Sequence, residues 1–141
     1  MGENIELVKK TISWINDTFV PLGLRPVESL DDYRACPQQG ERCVIALVLQ
    51  SNPQWDNNVT VGVSRIQIGY KNSWDELLQF DVPRDVGNFF RDFDNGEYPS
   101  LVDLESFDEH FDTAPHYRRT ILEKMQAAGI DVKDRIDDTY C

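Results

Sequence analysis

Basic residues are scarce in this sequence. Its 141 residues include 14 lysines and arginines against 25 aspartates and glutamates, which gives a formal net charge of −11. Proteins bind nucleic acid largely by placing lysine and arginine on its phosphates, and anionic membranes attract the same two residue types. The composition therefore argues against both nucleic acid and a membrane as direct partners.

Long apolar runs are missing as well. The longest one covers residues 44–49, whereas a helix that spans a membrane needs ~20 apolar residues. The opening residues, MGENIELVKK, do not combine a basic start with an apolar stretch, as a secretory signal does. We therefore expect a cytoplasmic protein.

Cysteine and histidine, two residue types common in catalytic and metal sites, are few, since the chain has three cysteines and two histidines. It contains no Cys-x-x-Cys pair, no glycine-rich phosphate loop and none of the common hydrolase signatures. We expect no metal, no cofactor and no enzymatic activity. Cys36 and Cys43 flank a turn-like hexapeptide across which a disulfide is geometrically possible. Because cytosolic proteins keep their thiols reduced, we predict free thiols or a facultative pair rather than a required disulfide.

Acidic residues, by contrast, are abundant and concentrated in one stretch. Residues 75–112 contain twelve acidic side chains and only two basic ones, whereas the rest of the chain has thirteen acidic and twelve basic side chains. Clustered like charge opposes folding through self-repulsion. The same stretch is rich in aromatic residues, which unfolded segments lack. The acids are therefore expected to lie on folded structure.

Four segments carry apolar residues at steps of three and four, as amphipathic helices do. They cover residues 4–18, 83–94, 101–112 and 114–128. Pro83 and Pro115 suit the first turns of their helices, and Gly96 and Gly129 suit the positions that follow helix ends. A short helical turn is also predicted at residues 29–32, from its capping pattern.

The remaining apolar segments predict a sheet. Residues 43–50, CVIALVLQ, favour a buried strand, although periodicity alone leaves a short buried helix open. Residues 59–68 alternate as a strand does, except at Ser64 and Arg65, where the break in alternation predicts a bulge or a change of the face to which the side chains point. Residues 73–80 read as another short helix. The predicted fold class is α+β, a small antiparallel sheet covered by four or five helices.

The chain is short enough for one domain, which we place at residues 1–129, with a loosely ordered C-terminal tail at residues 130–141. The apolar positions on the predicted inner faces define the expected core. They are Ile12, Ile15, Val44, Leu47, Val61, Val63, Phe89, Phe90, Phe93, Ile121, Leu122 and Met125.

One helix face is predicted to be a stripe of carboxylates. If residues 101–112 are helical, four acidic side chains fall within an arc of about 100°. Their like-charge pairs destabilise the helix by roughly 1–2 kcal/mol in total. Neighbouring carboxylates lie ~5–6 Å apart, a spacing comparable to that of phosphates along a DNA strand. The predicted partner-binding residues are these four, Glu105, Asp108, Glu109 and Asp112, together with Asp85, Asp92, Asp94 and Glu97. A solvated helix face is the alternative.

Residues 92–103 match a calcium-binding loop in part, because acids stand at its first, third and twelfth positions. Gly96 occupies the fifth position, where an oxygen ligand is expected, and Glu97 occupies the sixth, where glycine forms the turn. We interpret the segment as a helix end that leads to the next cap.

The two histidines lie close to carboxylates in the sequence. Glu109, His110, Asp112 and His116 are suited in type to a general acid/base pair or to metal ligation. Because Pro115 separates the two histidines, their relative geometry stays open. A small hydrolase that uses this cluster is an alternative function.

Residues 80–107, FDVPRDVGNFFRDFDNGEYPSLVDLESF, resemble a pattern in small proteins of actinobacteria and their phages that have no assigned activity. In that pattern a proline-initiated amphipathic helix ends in Phe-Asp-x-Gly, and a proline and a second apolar segment follow. CVIALVLQ is placed like a Cys-x-Ile-Ala-x-Ala-Leu run in those proteins. The resemblance implies a small bacterial or phage cytosolic protein, and it favours an accessory or inhibitory binder.

The sequence thus predicts a non-enzymatic acidic binding protein, an inhibitor in a phage, host or defence context. Residues 75–112 are expected to dock on the basic, nucleic-acid-binding surface of a partner protein by electrostatic complementarity, as a mimic of nucleic acid. An immunity- or antitoxin-type protein that neutralises a basic toxin is an alternative with the same physics.

Overall fold

The structure, a computed structural model, describes residues 3–37, 43–53, 55, 59–69, 77–111 and 115–138. These residues form an α+β fold, as predicted. The helices are α1 (Ile5–Phe19), α2 (Val44–Gln50), α3 (Arg84–Asp94), α4 (Leu104–His110), α5 (Pro115–Ala127) and α6 (Lys133–Asp138), and the strands are β1 (Val59–Val61), β2 (Arg65–Gly69) and β3 (Leu77–Asp81). No helix in the described ranges has the length and apolar character needed to cross a bilayer.

Helix α1 confirms the prediction for the N-terminal segment. The Asn4 side chain caps it by accepting a hydrogen bond from the Leu7 N–H at 3.0 Å, and the helix ends at Phe19 before Pro21. Asn16 then holds the following loop against the helix. Its side chain donates to the Val27 carbonyl at 2.9 Å and accepts from the Val27 N–H at 2.8 Å.

Residues 44–50 are a helix, so the favoured strand at this position is wrong. Helix α2 buries five of its seven residues: Val44, Ile45, Ala46, Val48 and Leu49. A helix enclosed on nearly all sides is apolar all round and gives the same continuous run as a buried strand. It packs between β1 and the short 3₁₀ turn Asp31–Tyr33, which confirms the helical turn predicted there.

The three strands form an antiparallel sheet in the order β1-β2-β3. Val61 pairs with Ile66, and the Gly62 N–H donates to the Arg65 carbonyl at 2.9 Å. The predicted bulge at Ser64 and Arg65 is therefore wrong, because the chain reverses there in a hairpin.

The short helix predicted for residues 73–80 is also wrong over its described part. Residues 77–81 form β3, in which Phe80 pairs with Ile66 and Leu78 pairs with Ile68. Cross-strand pairing overrides the local helix-cap signal here, since strand preference depends mainly on packing against neighbours. Residues 72–76, which carry that signal, lie outside the described residues.

Helix α3 agrees closely with its prediction. Pro83 is its N-cap residue, and Val86, Phe89, Phe90 and Phe93 form its buried face. Gly96 follows the helix with a φ of 82°, a left-handed conformation that glycine adopts without strain.

Helix α4 is shorter than predicted. Its N-cap is Asp103, whose side chain accepts from the N–H groups of Glu105 and Ser106 at 3.0 and 3.2 Å. Residues 99–101 form a separate 3₁₀ turn. The helix is therefore Leu104–His110 rather than residues 101–112, and Asp112 lies outside the described residues.

The C-terminal segment contains more structure than the predicted loose tail. Helix α5 ends at Ala127, and Gly129 follows with a φ of 91°, as expected for a helix terminator. Val132 is then buried, and its N–H donates to the Gln126 side chain at 3.1 Å. Residues 133–138 form α6, so the prediction of a loose tail is wrong for these residues, and residues 139–141 lie outside the description.

Nine of the twelve predicted core residues are buried. Ile12 and Leu47 are partly buried, but Val63 is 41% exposed, so its placement in the core was wrong. It lies in the β1–β2 hairpin turn, at a place where the sequence analysis predicted a continuous strand. The side chains of Cys36 and Cys43 are buried, and no disulfide joins them to each other.

Candidate functional site

The predicted acidic residues on α3 do not share one face. Asp85 lies at the start of the helix, with its carboxylate 3.5 Å from the Lys10 ammonium on α1. Asp94 lies at the end of the helix beside α2, where its charge adds to burial in raising the pKa of the Cys43 thiol. Nine residues at 3.6 per turn place Asp85 and Asp94 on opposite sides of the helix. A single flat partner surface cannot contact both.

Asp108, predicted to be part of the docking stripe, instead connects three helices. Its carboxylate accepts from Arg118 on α5 at 3.0 Å and from two nitrogens of Arg135 on α6 at 3.0–3.1 Å. The hydrogen bond to Asp108 is the main reason that the pKa of Arg135 is raised. The Arg118 guanidinium also lies 4.6 Å from the centre of the Phe107 ring. Two cations therefore surround one carboxylate.

Glu97 is also paired within the fold. Lys124 on α5 donates to the Glu97 carboxylate at 2.6 Å and to the Asn95 carbonyl at 2.7 Å. Helix α5 is thus attached to the turn that follows α3. The side chain of Glu97 stays 54% exposed. The ion pair with Lys124 therefore partly neutralises the carboxylate but does not bury it.

A second group of acids surrounds Tyr98, and we call it the Tyr98 patch: Glu3, Asp92 and Glu97. Burial, as the largest cause, and the charges of these three carboxylates together raise the pKa of Tyr98 to about 12. Glu3 is held in place by Ser100, whose N–H and hydroxyl donate to its carboxylate at 2.9 and 2.6 Å. Sequence reasoning missed Glu3 because it lies far from the others along the chain.

Two exposed carboxylates remain on α4, and we call them the α4 pair: Glu105 and Glu109. They are four residues apart, which places them on one side of the helix about 5–6 Å from each other. Within the described ranges no lysine or arginine lies within ion-pair distance of either carboxylate. The neighbour of Glu109 is His110, at 3.5 Å. Among the described members of the predicted stripe, the α4 pair consists of the exposed carboxylates that form no ion pair with lysine or arginine.

The segment that resembles a calcium loop is organised as a helix end, which confirms that interpretation. The Glu97 N–H donates to the Asp92 carbonyl at 2.9 Å as the chain leaves α3. The Asp103 carboxylate, at the twelfth position of the supposed loop, caps α4 instead.

Among the described residues, no group of three or more histidine, cysteine, aspartate and glutamate side chains is arranged to hold a metal ion. Burial raises the pKa of Cys43 to about 12, so its thiol stays protonated at neutral pH and is a poor nucleophile. The rings of His116 and Tyr117 are tilted against each other, and their centroids lie 4.0 Å apart. The histidine–carboxylate cluster stays a prediction, because Asp112 is not described.

Comparisons of this chain with protein-family models, with curated proteins and with solved structures give no match. The resemblance of residues 80–107 to proteins of actinobacteria and their phages therefore stays a prediction. Any functional proposal depends on the geometry of the chain itself.

Proposed function

We propose that this chain is a non-enzymatic acidic binding protein, which inhibits a basic protein by occupying the surface where that protein binds nucleic acid. The observation that carries the proposal is the contrast between Asp108 and the α4 pair. The fold places two arginines on Asp108, whereas the exposed carboxylates of Glu105 and Glu109 have no lysine or arginine beside them among the described residues.

This contrast argues for a binding role because the two kinds of site lie on one short helix. Compensation of negative charge is present on α4, but it is restricted to the carboxylate that joins the helices. The like-charge pair at i and i+4 costs ~0.2–0.5 kcal/mol in an isolated helix. A partner that brings lysine or arginine to the α4 pair would remove that repulsion.

The docking surface proposed here is smaller than the one predicted from the sequence. It consists of the α4 pair, with the Tyr98 patch as a second acidic area, whereas Asp108 joins helices. Binding through exposed charges gains mainly from electrostatic steering, so we expect fast association that slows as salt is added.

The test removes the charge of the α4 pair and keeps its shape, with Glu105→Gln and Glu109→Gln in one variant. The matched control is Glu6→Gln with Asp17→Asn, two exposed acids on α1. Both variants lose two negative charges, so a difference between them reports the position of the charge. A lysine homopolymer is the first ligand, titrated by calorimetry at low and at high salt.

The second arm tests inhibition. Proteins captured from bacterial lysate on the immobilised chain are eluted with double-stranded DNA and then assayed for DNA binding by mobility shift. We expect the parent chain to displace DNA from the captured proteins. The α4-pair variant should need at least about tenfold higher concentrations to do so, since close charge pairs at interfaces contribute about 1.5 kcal/mol or more. Equal inhibition by the parent, the variant and the control would refute the proposal.

A further inference from the structure

Strand β3 is an outer strand of the sheet, and among the described residues no strand pairs with its outer edge. One hydrogen bond shows which of its backbone groups face β2. The Val82 N–H donates to the Ser64 carbonyl at 3.0 Å, and these two residues directly follow the Arg65–Asp81 pair in the register. Hydrogen-bonded pairs alternate with non-bonded pairs along an antiparallel ladder. The Arg65–Asp81 pair is therefore a non-bonded one.

The backbone groups of Gln79 and Asp81 consequently point away from β2, whereas those of Leu78 and Phe80 bond to it. Among the described residues, the outward N–H and carbonyl groups of Gln79 and Asp81 have no hydrogen-bond partner. The strand has the sequence LLQFD, without the proline or lysine that commonly prevents pairing at a sheet edge. The edge is thus able to accept another extended chain.

Apolar surface is also left uncovered beside this edge, on the core-facing side of the sheet. Ile66 and Ile68 on β2 are 0% exposed, whereas their partners on β3, Phe80 and Leu78, are only partly buried. The Phe80 ring contacts the Phe19 ring on α1, with a centroid distance of 4.8 Å, so the core holds it in place. Apolar side chains on an added strand would pack beside Leu78 and Phe80.

The opposite face of β3 is polar and carries one carboxylate. Gln79 and Asp81 are exposed there. Arg65 lies opposite Asp81 on β2, but among the described side chains no lysine or arginine forms an ion pair with Asp81. A lysine or arginine on an added strand would form a favourable cross-strand pair with this carboxylate. A second copy of this chain would instead bring a further charge of −11, which opposes association.

We propose that the edge of β3 binds an extended segment of a partner protein in which lysine or arginine alternates with apolar residues. The segment adds an antiparallel strand to the sheet. Its basic side chains lie on the face of Gln79 and Asp81, and its apolar side chains lie beside Leu78 and Phe80. In strand addition, main-chain hydrogen bonds supply affinity and alternate side chains supply specificity. The surface belongs to the sheet and not to α4, so the inference goes beyond the proposed function and does not depend on the α4 pair.

The first experiment examines the edge in the free, isotope-labelled chain by amide hydrogen exchange and NMR. We expect the amides of Gln79 and Asp81 to exchange quickly and those of Leu78 and Phe80 to exchange slowly. Slow exchange at Gln79 and Asp81 in a dilute sample would overturn the proposal, because the chain itself would then cover the edge. Protection that grows with chain concentration would contradict it in favour of a second copy.

The second experiment compares two peptides of equal charge. N-acetyl-Lys-Val-Lys-Val-Lys-amide has the proposed alternation, and N-acetyl-Lys-Gly-Lys-Gly-Lys-amide lacks the apolar side chains. We expect the valine peptide to slow exchange at Gln79 and Asp81 and to bind at least about fivefold more tightly, because cross-strand pairs and buried apolar surface favour it. About 0.2 M salt screens exposed charges elsewhere on the chain. Equal binding of the two peptides would refute the proposal.

Gln79→Pro blocks the edge and leaves the hydrogen bonds to β2 in place. Proline lacks an N–H, and at this position the missing N–H is one that points away from β2, as at the edge positions where proline is tolerated. The variant should bind the valine peptide no better than the glycine peptide. Gln79→Thr is the matched control, because it keeps the N–H and should keep the preference. An unchanged preference in Gln79→Pro would show that the peptide binds elsewhere.

If Gln79→Pro loses the folded spectrum, Asp81→Lys replaces it. This variant should weaken binding of the valine peptide and should bind N-acetyl-Glu-Val-Glu-Val-Glu-amide more tightly than the parent does. Equal affinity of the parent and Asp81→Lys for both peptides would contradict the proposed strand. Glu105→Gln with Glu109→Gln should leave the exchange protection at Gln79 and Asp81 unchanged, so that failure of the α4 pair as a docking surface is seen separately.

Discussion

Helices α3 and α4 both belong to the acidic segment, but different interactions hold them in the fold. Helix α3 buries four large apolar side chains and Gly87, so its acids are peripheral to its packing. Helix α4 has seven residues and one buried residue, Phe107. It depends on the Asp103 cap and on the ion pairs of Asp108. Acidic residues therefore have different roles in the two helices, which their density in the sequence does not reveal.

Phe89→Ala should have the largest effect and tests the α3 side of this comparison. The ring is 1% exposed and contacts Tyr98, with a centroid distance of 4.7 Å. Loss of a buried phenylalanine typically lowers the free energy of unfolding by ~3–5 kcal/mol. Urea unfolding followed by circular dichroism measures the change. A loss below about 1 kcal/mol would show that burial does not hold α3.

Gly87→Ala should have the next largest effect. Alanine favours a helix over glycine by ~1 kcal/mol, but its Cβ would lie 2.5 Å from backbone at Val63. Overpacking against backbone typically costs ~1–3 kcal/mol, so we expect net destabilisation. Gly62→Ala is the control, because its added Cβ would meet the nearest atom at an ordinary 3.4 Å. A higher melting temperature for Gly87→Ala would show that the β1–β2 hairpin turn is not in close contact with α3.

Asp108→Asn tests the α4 side. The carboxylate is 38% exposed, and ion pairs at such sites contribute ~0.2–1 kcal/mol each, so we expect a global loss of about 1 kcal/mol. The distinguishing result is local. Amide hydrogen exchange should accelerate in α6, which Arg135 attaches to Asp108, and high salt should reduce the difference from the parent. Unchanged exchange in α6 would show that the ion pairs do not hold it.

The comparison also explains which parts of the structure were predictable. For α3, the apolar period, Pro83 and Gly96 all indicate the same helix, and such agreement between local signals makes a prediction reliable. For α2 the run is apolar throughout, so no period distinguishes helix from strand. The helix signal before β3 is local, whereas the strand depends on pairing with β2, which lies elsewhere in the chain.

The candidate site was predictable only in part, for the same reason. Helical spacing correctly placed Glu105 and Glu109 near each other, because that relation is local. The partners of Asp108 are Arg118 and Arg135, which come from later helices. Long-range contacts of this kind leave no periodic signal in a single sequence.

The smallest effect on stability is expected for the α4 pair, where the two positions should differ in sign. Glu105 lies in the first turn of α4, where a negative charge interacts favourably with the helix dipole. Glu109 lies near the C-terminal end, where a negative charge interacts unfavourably with it. Glu105→Gln should thus be neutral or destabilising by up to ~0.5 kcal/mol, and Glu109→Gln should be neutral or stabilising by a similar amount. The double variant should match the parent within about 0.5 kcal/mol in urea unfolding, while its affinity for the lysine homopolymer falls and its salt dependence flattens. A double variant that unfolds more readily by over 1 kcal/mol would place the pair with Asp108 as a structural element. Equal stability with reduced affinity would instead show that the acids of α4 have two roles. Asp108 would hold the helix in the fold, and the α4 pair would bind a partner.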